Sequence, residues 1–412
     1  MNISDGKYQE DLTKQDFIEL GQKEYLSDKE LSVQNVVDGI ILPPRYFKSK
    51  ILNKLGMQDT LHGEGGVIDA HGQYVELSAQ VAEGMRNRVY GAYHFDKKKL
   101  VKRPEKVIYI NYFIKQWGHY LLDVIGRLWY PLLHAKDTKL VYTCYTGKIE
   151  EITGNYLEFL ELIGISKDRL ILINKPTQFE EVVVPESSIL PGAYYTKEYR
   201  YIFESVIKGV EFTPKKSDNK KIYCSRAKLA VAKGKEFGED RIEDIFINNG
   251  FKPVFMEKMS LTEQIRVLNT SSTIVMTSGS LAHNLLFMKD KKDVIILNKT
   301  YRVNLHQFLI NEMTEARVRF VDIYISPLPI LYGYGPFLVD ITHPFKEFLK
   351  DNGITTPLNR VLTKKDYFKY YLRWISSYKF YLFRINRIKE GDSKFEKDFS
   401  TIRKYYKTGK KG

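Results

Sequence analysis

A chain of 412 residues that is 43% hydrophobic and 13% aromatic carries apolar material for two cores, which excludes a disordered or low-complexity class. Its 64 Lys/Arg against 50 Asp/Glu give a net charge of +14, and residues 363–412 hold fifteen basic and five acidic residues, so the excess belongs to a tail and not to the whole surface. No apolar run approaches the roughly 20 residues of a membrane span, and the polar start Met1-Asn-Ile-Ser-Asp-Gly is no signal peptide, so a cytoplasmic protein is expected.

Residues 1 to about 105 read as short strands with Gly-punctuated turns such as Gly63-Glu-Gly-Gly66. A strand over Lys106 to Asn111 then leads into Trp117-Gly-His-Tyr-Leu-Leu-Asp-Val-Ile-Gly-Arg-Leu-Trp129, with Pro131 marking where the helix frays. His119, Asp123 and Arg127 are spaced i, i+4, i+8 and form one polar stripe on a helix whose other positions are apolar. Three ionisable groups in that setting must be paired or line a cleft. A histidine beside a carboxylate is the arrangement of a general base with a fixed tautomer, and a buried network that only holds the helix in place is the competing reading. Strands near Lys139 to Tyr145, Arg169 to Ile173 and Glu181 to Val184 follow, and Pro191-Gly192 begins a connection. Cys144 and Cys224 lack metal-ligand spacing and read as reduced core thiols.

Beyond the connection, strand and helix alternate at a regular pitch: a strand over Lys221 to Arg226, a helix over Asp240 to Asn249, a strand over Phe251 to Met256, and a helix opened by the capping box Ser260-Leu-Thr-Glu263. The β-branched run Ser272 to Thr277 breaks at Ser278-Gly279-Ser280 and re-emerges as a helix carrying His283 and Asn284, and Asp293 to Asn298 closes the series. This succession predicts a parallel sheet covered on both faces, with ligands beyond the carboxyl ends of its strands. Arg226 could clamp a diphosphate bidentately there, while Ser278, Gly279 and Ser280 offer backbone N–H groups and hydroxyls; an ordinary βα turn and a surface arginine are the bland alternatives. No Asp-x-Asp motif occurs, which argues against a metal-bridged site and for basic groups carrying the phosphate charge.

The helix Gly118-His-Tyr-Leu-Leu-Asp123 with Arg127, the strand end Tyr223-Cys-Ser-Arg226, the Ser260-Leu-Thr-Glu-Gln264 segment and the Gly279 turn leading to Asn284-Leu-Leu-Phe287 occur in the order seen in glycosyltransferase family 61, and the chain resembles that family from about Val107 to Asn298. The family is similar to the eukaryotic O-linked N-acetylglucosamine and xylosyl transferases and includes bacterial capsule and exopolysaccharide enzymes. The resemblance implies an α/β, GT-B-like fold of two Rossmann-like domains facing a cleft, and inverting, metal-independent transfer from a nucleotide sugar, UDP-linked by expectation, to a glycan or lipid-linked acceptor. It divides the chain into an acceptor-side domain (1–191), a nucleotide-sugar-binding domain (192–341) and a helical tail (342–412). Asp123 or His119 is then the base, with Arg127 as orienter or donor contact, and Arg226, Ser278, Gly279, Ser280, His283 and Asn284 hold the donor; no cofactor or metal is expected. Where the family has His-Gly-Ala at the turn, this chain has Ser278-Gly279-Ser280, with a histidine displaced to His283. The family's second basic residue falls to Lys228, Lys233 or Lys235.

In the tail, Tyr367, Tyr371, Trp374, Tyr378, Tyr381, Ile385 and Ile388 recur at alternating four and three spacing, widened by Phe368, Ile375 and Leu382, with Lys369, Arg373, Lys379, Arg384 and Arg387 around them. Such a stripe suits an interfacial helix on an anionic leaflet, here the inner face of the cell membrane. A helix packed on the first domain and a heptad seam to another subunit are the alternatives. Two other function classes compete: a nucleic-acid-binding protein, argued against by the confinement of basic charge to the tail without a recognised motif, and a non-catalytic carbohydrate-binding scaffold.

Overall fold

The structure is a computed structural model that describes residues 6–46, 63–81, 89–145, 148–211, 220–229, 232, 235–314, 316–325, 335–355 and 362–375. Two sheets organise it. The first contains β1 (Val33–Val37), β2 (Ile40–Tyr46), β3 (Gly63–Ile68), β4 (Val101–Tyr112), β5 (Lys139–Thr143), β6 (Leu170–Ile173) and β7 (Thr177–Pro185). Its path is β3-β2-β7-β4-β5-β6 with β1 also on β7; β7, β4, β5 and β6 are parallel, while β1, β2 and β3 pair antiparallel. A short ribbon of β8 (Ile189–Leu190) and β9 (Tyr194–Tyr195) follows.

The second sheet is built from β10 (Lys220–Cys224), β12 (Lys252–Val254), β13 (Ser271–Thr277), β14 (Asp293–Asn298) and β15 (Arg317–Asp322), all parallel in the order β12-β10-β13-β14-β15. Side chains alternate between two cores, as a doubly wound sheet requires: Ile222, Cys224, Ile274, Met276, Val294 and Ile296 face one side, and Tyr223, Val275, Ile295 and Leu297 the other. The strand order reverses between β10 and β13, so the crevice for a ligand opens beyond Cys224 and Thr277. A two-residue ribbon of β11 (Glu236–Phe237) and β16 (Phe337–Leu338) lies outside this sheet.

The strands predicted from sequence are present with ends shifted by a few residues, and the Ser260 capping box is formed in both directions with Glu263. Glu158 strengthens that helix start by accepting the Leu261 and Thr262 N–H groups at 2.8 and 2.9 Å, a carboxylate at the positive end of a helix dipole. Both cysteines are buried and free, though Cys144 sits just past β5. One apolar cluster runs without a break from Ile108, Leu140 and Tyr142 through Tyr199, Ile202 and Phe203 to Ile274, Leu285 and Phe287, so the two sheets share a packed interface behind the crevice.

Several expectations are corrected. The turn after β13 leads into a 3-10 helix, Ala282–Phe287, and not an α-helix, so its dipole is weak and side chains must supply charge. Pro131 lies inside the helix Trp129–His134, within its first turn, where a missing N–H costs nothing. The N-terminal helix Asp11–Gln22 belongs to the second sheet and not to the first domain: Phe17 packs on Phe308 and Phe320, and the buried Asp322 carboxylate accepts Glu10 N and Thr13 Oγ1 at 2.8 Å each. At the other end, helix His343–Asp351 covers the same sheet through Phe345 and Phe348.

The described tail, a helix over 364–375, also docks on the second unit. A reciprocal cap between Thr363 and Asp366 starts it, and Arg241 pairs with Asp366. Its buried residue is Tyr370, which the predicted stripe missed; it packs with Leu338 and Leu362, flanked by Tyr367 and Trp374. Phe368, Leu372 and Ile375 are exposed on another face. The remaining stripe positions, from Tyr378 onwards, and Lys233 lie outside the described residues.

Candidate functional site

The segment after β4 does not run as one helix. It is α-helical at Trp117–His119, π at Tyr120–Val124 and 3-10 at Ile125–Arg127. A single π turn of this kind is frequent at functional sites. Asn111 sits behind them at φ 141°, a conformation rarely adopted by non-glycine residues, and its amide donates to the Asp123 carbonyl at 2.8 Å.

The predicted stripe keeps its first pair. His119 Nδ1 lies 2.6 Å from Asp123 Oδ2, with the histidine side chain 27% exposed and the aspartate 1%. Arg127 leaves the stripe, because the π and 3-10 turns break the 3.6-residue period. Its guanidinium is buried and donates to the carbonyls of Pro185, Leu77 and Ala79, over the Tyr109 ring, and burial lowers its pKa. It ties the 77–79 segment to the end of β7 through these bonds and, with Asp123, lines a pocket on that side of the first sheet.

The Ser278-Gly279-Ser280 turn comes to this pair from the other sheet. A Cβ on Gly118 would lie 2.7 Å from Ser280 Oγ and 3.0 Å from His283 Nδ1, so only glycine permits the approach. Trp117 Nε1 donates to Asn284 Oδ1 at 2.5 Å, and Asn284 Nδ2 donates to Gln264 Oε1 at 3.0 Å. Asn284 therefore spends its amide on holding the turn in place and not on a ligand. The Asn304 amide is oriented by the bond that Oδ1 accepts from His306 N, so Nδ2 faces His283 Nε2 at 3.2 Å. His283 is thus a neutral imidazole with its proton on Nδ1. Burial, with His306 and His119 nearby, holds its pKa down at about 3. An alanine at position 118 overpacks this contact, which costs about 1–3 kcal/mol; Gly118→Ala is expected to lower both the melting temperature and turnover, and a variant with wild-type melting and rate shows that the approach is not needed.

Around the carboxyl ends of β10 and β14, Arg226 forks onto Glu236, with Nε 3.2 Å from Oε2 and Nη2 3.1 Å from Oε1. Lys299 Nζ lies 2.9 Å from the same Oε1 and under Gly279, where an added Cβ would meet, among the described residues, only Nζ, at 3.9 Å. Burial lowers the Lys299 pKa, and Glu236 stays below the usual range because the two cations outweigh its own burial. Glu239 accepts Arg226 N at 3.1 Å; burial and the Glu236 charge push it up to about 7. Lys299 and Glu236 escaped the sequence reading, since a lysine after a strand and a glutamate in a loop carry no local signal. Lys228 stacks on Phe255 at 4.0 Å, and Lys235 is partly buried beside Glu236.

The site thus combines a parallel sheet carrying Arg226 and Lys299 beyond its strand ends with a His–Asp pair brought up to the Ser278-Gly279-Ser280 turn from a second α/β unit. Residues 117–295, the stretch from Trp117 to the middle of β14, match the glycosyltransferase 61 family. This match over 179 of the 412 residues supports membership of glycosyltransferase family 61 and, with it, a glycosyltransferase. No curated protein matches it significantly.

Proposed function

We propose that this enzyme is a metal-independent, inverting transferase of the GT-B type. In this reading it moves a sugar from a nucleoside-diphosphate donor, UDP-linked, to a glycan or lipid-linked acceptor in surface polysaccharide synthesis. The observation that carries the reading is the approach of the Gly118-His119 turn to Ser280 and His283, which sets a base beside the crevice of the second sheet. Arg226, Lys299 and the Ser278-Gly279-Ser280 turn take the diphosphate, whose negative charge grows as the glycosidic bond breaks; preorganised donors there favour the transition state. Between the two candidate bases, the reading favours His119, whose side chain is 27% exposed while its partner Asp123 is 1% exposed and holds Nδ1–H; Nε2 is then the atom that takes the acceptor proton.

Thermal melting with UDP, GDP, CMP and a single-stranded oligonucleotide, without magnesium, tests this. A diphosphate at about 100 times its Kd adds about 2.7 kcal/mol, and a response to the oligonucleotide alone sinks the transferase reading.

The acceptor is read as lipid-linked and the enzyme as peripheral on the cytosolic leaflet because Phe368, Leu372 and Ile375 are exposed beside Lys364, Lys365, Lys369 and Arg373. No helix among the described residues is long and apolar enough to cross a membrane. Replacing Lys369, Arg373, Lys379, Arg384 and Arg387 by Gln is expected to release the protein from anionic vesicles, each basic contact being worth about 1 kcal/mol there. Retention that is indifferent to salt contradicts the electrostatic anchor.

A further inference from the structure

We propose that Glu236 is an internal competitor of the donor's diphosphate: it occupies the Arg226 fork and the Lys299 ammonium that a phosphate would take, and it sets how tightly and how selectively the crevice accepts anions. This rests on the reading of the crevice as the donor site. Three features of the geometry support it.

The carboxylate is held as a phosphate edge would be, by two parallel guanidinium bonds at 3.1 and 3.2 Å and an ammonium at 2.9 Å that shares Oε1 with Arg226. The two cations come from the end of β10, beside the switch point, and the end of β14, one strand beyond β13, whereas Glu236 comes from the β11–β16 ribbon outside the sheet. Among the described residues, a Cβ on Gly279 would meet only Lys299 Nζ within 4 Å, so the turn backbone lies next to that ammonium. An oxyanion seated on the Gly279 backbone therefore lies within reach of the ammonium that Glu236 now holds. Glu236 is the carboxylate that both cations touch, whereas Glu239 bonds only the Arg226 backbone N–H and is pushed up to about 7 by burial and the Glu236 charge.

An internal anion lowers the apparent affinity of an external one in proportion to the time it fills the site. It also shuts out weak monoanions, which cannot repay the displaced ion pair.

The test compares wild-type, Glu236→Gln and Glu236→Asp full-length protein for binding of UDP, GDP and inorganic pyrophosphate by calorimetry, with melting temperatures of the unliganded proteins. Glu236→Gln is expected to bind the diphosphates about tenfold more tightly and to melt lower when empty, since two buried cations lose their partner. Glu236→Asp, whose shorter arm cannot span the fork and Lys299 together, is expected to tighten binding to a smaller degree; it decides the matter if the glutamine variant does not fold. Lower melting with unchanged or weakened diphosphate affinity overturns the proposal and makes Glu236 a structural brace. If wild type binds none of the three and Glu236→Gln binds one, the competitor is upheld. If none of the proteins binds any of the three, the donor reading of the crevice falls and the proposal with it.

Discussion

His119→Ala is expected to reduce sugar transfer by about 10²-fold or more while leaving nucleotide affinity within a few-fold of wild type, because a general base contributes about 10²–10⁴-fold and makes no ground-state contact with the diphosphate. Asp123→Asn should cost nearly as much. The amide can offer its NH₂ to Nδ1, which moves the imidazole proton to Nε2 and removes the lone pair that must accept the hydroxyl proton. The measurement is turnover against donor Kd, with circular dichroism to verify the fold. Both variants transferring at the wild-type rate leaves the pair a structural one, and both unfolding assigns it to a buried network. If Asp123→Asn is silent while His119→Ala is not, the histidine acts without its orienter.

The second large effect is expected at Arg226. Charge-assisted hydrogen bonds contribute about 1.5–3 kcal/mol each, so Arg226→Ala should weaken diphosphate binding by about tenfold to a hundredfold. Arg226→Lys should restore only part of this, since an ammonium cannot reproduce the fork. Arg226 is not a surface arginine: its guanidinium is mostly buried against Glu236. Stripping one member from a buried ion pair destabilises by about 3–5 kcal/mol, so a lower melting temperature should accompany the affinity loss. Calorimetry on protein that is still folded separates the two, and an unchanged Kd removes Arg226 from the donor site.

Much of the second sheet was legible because its strands are β-branched runs buried on both faces, and such runs punctuated by Gly250, Gly279 and a Ser260–Glu263 box leave little choice of topology. The His119–Asp123 pair was legible for the same reason: i, i+4 is a local relation that survives any helix-like winding. Arg127 was not, because whether a segment winds as α, π or 3-10 depends on what packs against it, here Asn111, Gln80 and the carbonyls of residues 77 and 79. The tail shows the same division. Its period predicted a helix, yet Tyr370 and not Tyr371 is buried, since the Thr363–Asp366 cap and the Arg241 pair fix the rotation of the helix on its neighbour.

The sequence by itself determined most strands and helices and the identity of the strand-end residues, which follow from patterns within about thirty residues, and the order of motifs from about Val107 to Asn298 carried the family resemblance. Only the tertiary structure decided which strand ends meet. Gly118 and Ser280 are distant in sequence, and their contact is set by how helices Asn155–Leu162 and Lys197–Lys208 seat on Leu261–Thr270 and Ala282–Phe287. The pairing of Arg226 and Lys299 on one carboxylate is likewise a property of the packed sheet. Buried charges must find a counter-ion, but no local pattern says that the counter-ion is Glu236.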